Sequence, residues 1–134
     1  MTTELLLAPA VRSWDDVKEA ISSSIADLVD GSVNEVAVTV PEGSQRITAT
    51  QLGDGQLRLA ASGNDTLVGQ ERLTVRDERA VIAVGFSSTT ASWGSFLWDW
   101  TAPVTPELVA SGIVRTMRDI YKVASSDLEL SVTL

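Results

Sequence analysis

Apolar positions along this chain change period several times, and each change marks an element. Trp14, Val17, Ile21, Ile25 and Leu28 recur at spacings of three and four, the period of one helical face. Ser13 precedes them as an N-cap, Asp15 and Asp16 place carboxylates in the first turn, and Gly31 supplies a residue that tolerates the left-handed C′ position. A helix is predicted from Ser13 to Asp30. From Glu35 the period becomes two: Val36, Val38 and Val40 share a face until Pro41-Glu42-Gly43-Ser44 turns the chain. Ile47 and Ala49 continue the alternation, Gly53-Asp54-Gly55 makes a second tight connection, and Leu57 and Leu59 follow. Three antiparallel strands in a meander are expected.

The next segment is ambiguous by pattern alone. Thr74 with Asp77 has capping-box spacing, whereas Ala80 to Val84 reads equally as a buried strand. The charged start at Arg76 to Arg79 and Gly85 at the end favour a short helix over 74–84. Ser95 to Trp100, bounded by Gly94 and Ala102-Pro103, reads as a strand. Thr105-Pro106-Glu107 then begins a helix to Lys122, with an apolar stripe of Leu108, Val109, Ile113, Val114, Met117, Ile120 and Tyr121. Ile113, Met117 and Ile120 are expected inward and Arg115 solvated. Leu128, Leu130 and Val132 alternate in a closing strand. The expected fold is α+β, an antiparallel sheet flanked by two long helices in the order α-β-β-β-(α)-β-α-β. Residues 1–134 form a single domain on this reading, with Met1 to Val11 as a mobile tail and Ser87 to Gly94 as a long polar loop.

Composition narrows the function. A chain of 134 residues, 44% hydrophobic and 21% charged, can bury one core. Its net charge of -8 repels phosphate backbones and anionic lipid, so neither nucleic acid nor membrane is an expected partner. The apolar run Leu5 to Ala8 is far shorter than a membrane span, and no basic residue precedes it as in a signal peptide. A cytoplasmic location follows as an expectation.

The chemistry of catalysis is scarce. Without His or Cys, the Ser-His-Asp and Cys-His nucleophile systems are excluded, together with thiolate and imidazole metal sites. Asp15 with Asp16, Asp77 with Glu78, and Asp127 with Glu129 each have an explanation in a helix start or a loop. Gly53-Asp54-Gly55 lacks a following Lys and opens a strand, so it is a hairpin turn and no phosphate loop. No cofactor, metal or enzymatic activity is expected.

Two groups of residues stand out as binding candidates. Arg115 and Arg118 lie three apart on a helix, a spacing that can grip a carboxylate or phosphate and that also suits a solvated face or a structural salt bridge. Trp93, Trp98 and Trp100 concentrate three of the four tryptophans in one short stretch. On a strand, Phe96, Trp98 and Trp100 share a face, with Leu97 and Asp99 opposite. Such a row either packs the sheet against the helices or lies open as a binding surface.

Trp98-Asp99-Trp100, Ala102-Pro103-Val104, the run Val114-Arg115-Thr116-Met117-Arg118-Asp119-Ile120-Tyr121 and the closing Asp127-Leu128 carry a resemblance. The chain resembles the actinobacterial TY-Chap N-terminal domain, a relative of YbjN and of type III secretion chaperones of the CesT kind. Gly85-Phe86 stands where that family has Gly-Trp, and Met117 where it has leucine. Leu97, Lys122 and Ser126 depart from its usual asparagine, glycine and proline. The resemblance implies a helix over Thr74 to Val84, bonds from Arg118 and Asp119 to the last strand or its loop, and no catalytic residue or cofactor. It also implies pairing as a homodimer, with a polypeptide client or a partner protein as ligand.

The expected function is a non-enzymatic peptide-binding chaperone or adaptor, with Phe96, Trp98, Trp100, Arg115 and Arg118 as candidate binding residues and the sheet rim near Trp98 and Trp100 as the client surface. The alternative is a YbjN-like regulator that docks a folded partner, and an enzyme comes third.

Overall fold

The computed structural model describes residues 2–88 and 95–134. Helix α1 runs Trp14–Asp30, capped at Ser13, whose hydroxyl accepts from the Asp16 N–H at 3.1 Å, and it ends at Gly31 with φ 87°. Its inward stripe is Val17, Ile21, Ile25 and Leu28, all essentially solvent-free. Ser24 lies in the same stripe and satisfies its hydroxyl by donating to the Ala20 carbonyl at 2.9 Å. Strands β2 (Glu35–Thr39), β3 (Arg46–Gly53) and β4 (Gln56–Ala61) form the expected meander. Gly53, Asp54 and Gly55 all have positive φ at its second turn, which explains two glycines around an Asp.

Residues 74–84 resolve as helix α2, Val75–Val84. Thr74 and Asp77 form a reciprocal capping box, at 3.1 and 3.3 Å. The apolar run that invited a strand reading is split by the helical period: Val81 is fully buried, whereas Ile82 and Ala83 face solvent. Then come β5 (Ser87–Ser88), β6 (Phe96–Trp100), α3 (Pro106–Arg115) and β7 (Glu129–Thr133). Beyond Arg115 the helix widens into a π turn over Thr116–Ile120, with the Tyr121 N–H reaching the Thr116 carbonyl at 2.9 Å. The buried Thr116 hydroxyl donates to the Gly112 carbonyl at 2.8 Å just where the ladder changes. Ile113, Met117 and Ile120 point inward and Arg115 outward, as expected.

Together with β1 (Thr3–Leu7), the described strands form one antiparallel sheet in the order β1-β7-β2-β3-β4-β6-β5. One face, bearing Val36, Val38, Ile47, Ala49, Leu57, Leu59, Leu130 and Val132, packs with α1 and α3 into a single core cluster. The other face carries Glu35, Thr48, Thr50 and Arg58, with ion pairs Arg58–Asp99 at 2.7 Å and Arg46–Glu35 at 3.5 Å. Tyr121 ties the helical layer to the sheet end, donating its hydroxyl to the Ser62 carbonyl at 2.6 Å.

Four expectations need correction. The segment read as a tail contains an edge strand, β1 (Thr3–Leu7), paired antiparallel with β7. Three consecutive leucines hide it, because a register shift between Leu5 and Leu7 breaks the alternation that marks a strand. The polar loop 87–94 begins with strand β5, which pairs with Phe96 and Leu97, and its remaining residues, Trp93 among them, lie outside the described residues. Leu108, assigned to the inward stripe, is 59% exposed, since it falls on the solvent side of the first turn of α3. Arg118 and Asp119 pair with each other at 2.8 Å instead of holding the last strand.

Candidate functional site

The candidate site is built on β6 and its surroundings. Alternation along the strand points Phe96, Trp98 and Trp100 to the helical side, and Leu97 and Asp99 to the other. Phe96 is 2% exposed and belongs to the core. The half-buried Trp98 ring meets Phe86 edge-on, with centroids 5.3 Å apart, and lies 4.6 Å from the Trp100 ring. Phe86, Trp98 and Trp100 therefore form one aromatic row from the core to the rim.

Two glycines make room for this row. A Cβ on Gly85, at the end of α2, would collide with the Trp98 ring, and a Cβ on Gly112 of α3 would fall 2.7 Å from the same ring. A glycine inside a helix costs roughly 1 kcal/mol relative to alanine, so Gly112 is kept there by the close approach of the indole. The row is packed against the helices as far as Trp98. Trp100 at the far end is half-buried, and its indole nitrogen finds no acceptor among the described residues.

The strand edge beside the row is only partly covered. β5 pairs with Phe96 and Leu97 and stops, so Trp98, Asp99 and Trp100 have no strand neighbour on that side among the described residues. A cavity of about 530 Å³, lined by Gly85, Ser87, Leu97, Trp98 and Asp99, opens along the gap. Asp99 is gripped from the inner side by Arg58, with nitrogen to oxygen distances of 2.7 and 2.9 Å. The hydrogen bond from Arg58 holds the Asp99 carboxyl below its ordinary pKa, so the pair is a fixed ionic feature of the rim. Leu108 stands exposed one turn before Gly112, at the end of α3 that follows Trp100 in the chain.

Arg115 and Arg118 are not part of this arrangement. Both lie on the solvent side of the helix, along a groove against α1 that also receives Trp14 and Lys18. The structure thus joins Phe96, Trp98 and Trp100 in one row and separates the two arginines from it. The sequence reading missed the glycine pair and the way α1 brings Lys18 and Trp14 to Arg115; an unexplained mid-helix glycine was the available signal for the first. Among the described residues no group of three or more His, Cys, Asp or Glu side chains is arranged to hold a metal ion, and no helix is long and apolar enough to cross a membrane.

A family model described as T3SS (YopN, CesT) and YbjN peptide-binding chaperone 3, TY-Chap3, matches residues 8–132, nearly the whole chain. Comparison with curated proteins gives no significant match, and comparison with solved structures gives none either.

Proposed function

The chain belongs to the TY-Chap3 family of T3SS and YbjN peptide-binding chaperones, and from that premise we propose that it holds an extended polypeptide segment along the open part of β6. The observation that carries this reading is the rim itself: an aromatic row anchored in the core, beside a strand edge with no strand partner after Leu97 among the described residues. An extended client gains backbone hydrogen bonds from such an edge and apolar contact from the ring beside it. Trp100 and Leu108 supply the apolar surface, and Phe96 and Trp98 support it from beneath. The net charge of -8 keeps a client with an apolar segment in solution and favours clients with basic flanks. On this reading the protein is a cytoplasmic homodimer that catalyses nothing and binds neither nucleic acid nor membrane.

Trp100→Ala tests the proposal, scored for melting temperature and for capture of an unfolded reporter polypeptide. Retained stability with lost capture is the expected result. Unchanged capture removes the rim from consideration, and capture of a single folded protein in preference to extended chains supports the regulator instead.

A further inference from the structure

The groove between α1 and α3 brings three of the cations of this acidic molecule together. It is lined by Trp14, Asp15 and Lys18 from α1 and by Ser111, Arg115 and Arg118 from the α3 side, and encloses about 270 Å³. Arg118 is already forked onto Asp119, through Nε at 2.8 Å and a terminal nitrogen at 3.2 Å. Lys18 and Arg115 have no ion-pair partner among the described residues, whereas Arg46 and Arg58 each hold a carboxylate on the sheet. Asp15 lines the groove and faces Arg118, Asp119 is held by Arg118 and also feels Arg115, and Glu19 and Glu107 lie with Lys18 on its other side.

A chain of net charge -8 pushes anions away over most of its surface. An ammonium and a guanidinium that form no salt bridge among the described residues, on facing helices beside Ser111 and Trp14, place together the donors an oxyanion requires. The volume suits one side chain and no folded surface. Trp14 lines the groove and supplies apolar contact for the methylenes that carry such a group.

We infer that this groove binds a carboxylate side chain of an acidic polypeptide segment, held by Lys18 and Arg115 against Trp14. The polypeptide nature of the ligand rests on the function proposed above, but the groove is separate from the β6 rim. Gly112 meets Trp98 on the sheet side of α3, whereas Arg115 lies on its solvent side. A client whose apolar segment has basic flanks and whose acidic segment lies elsewhere in its chain can therefore occupy both places.

The test uses the full chain labelled with nitrogen-15 and the indole N–H resonance of Trp14, identified with Trp14→Phe. The probes are acetyl-triglutamate amide, acetyl-triglutamine amide and inorganic phosphate. Triglutamate should shift the Trp14 resonance in a saturable manner and triglutamine should not, and added salt should weaken the effect. The double variant Lys18→Gln with Arg115→Gln should bind triglutamate roughly tenfold more weakly at unchanged melting temperature, in line with lost charged hydrogen bonds at an exposed site. Trp100→Ala should bind it as the parent does, which separates this inference from the rim. Equal response to triglutamine, unaltered binding in the double variant, or response to phosphate without response to triglutamate overturns the inference.

Discussion

The two edges of the sheet offer the same backbone and differ in what stands behind it. At one end β1 exposes Leu5 at 53% and Leu6 at 42%, with a register shift between Leu5 and Leu7. Leu7 is its one apolar residue packed against the core, and the strand precedes the stretch matched by the family model. At the other end β6 lies inside that stretch and presents aromatic rings locked by Phe86, Gly85 and Gly112. An irregular edge of exposed leucines discourages orderly pairing with another chain, and the bulge is one of the devices by which native edges do so. An edge backed by preorganised aromatic rings loses little entropy when a segment settles on it. Openness alone does not make a binding edge; rigid apolar support beside it does.

The largest expected effect lies in that support. Trp98→Ala removes a ring that fills the space left by two glycines, and should cost about 3 kcal/mol or more, a large share of a domain stability of roughly 5 to 15 kcal/mol. Gly112→Val attacks the same contact from the helix and should cost about 1 to 3 kcal/mol through overpacking. Chemical denaturation of both variants checks this. A midpoint for either variant that matches the parent would mean that the ring is not held as described, and the contrast between the two edges would lose its basis.

A smaller effect is expected at the opposite edge. Leu5→Lys places a charge on the exposed face of β1 and removes little buried surface, so the change in stability should stay within about 0.5 kcal/mol, the range of ordinary surface substitutions. Client capture should be unchanged. If Leu5→Lys abolishes capture while Trp100→Ala does not, the roles assigned to the two edges are reversed.

Much of this architecture is written in local pattern. The N-cap at Ser13, the capping box of Thr74 and Asp77, Pro106 at a helix start and the turn of Gly53 to Gly55 are short-range signals, and the structure places an element boundary at each of them. β1 was hidden because its pairing with β7 joins residues some 130 apart, as between Thr3 and Thr133, and a bulge erases its period. Leu108 was misplaced because it borders the apolar stripe and only the docking angle of α3 decides its side. For the site, alternation alone puts Phe96, Trp98 and Trp100 on one face. The orientation of that face, the two glycines behind it and the convergence of Lys18 with Arg115 are tertiary facts that spacing along one element does not encode.

Hydrogen exchange, read amide by amide with and without a saturating extended client peptide, tests the central claim most directly. Pairing along the open edge should slow exchange within Trp98 to Trp100 and leave Thr3 to Leu7 unchanged, with the Trp100 indole N–H shifted in the same sample. Protection confined to β1, or a bound peptide that leaves every amide of β6 exchanging at its free rate, would contradict the account.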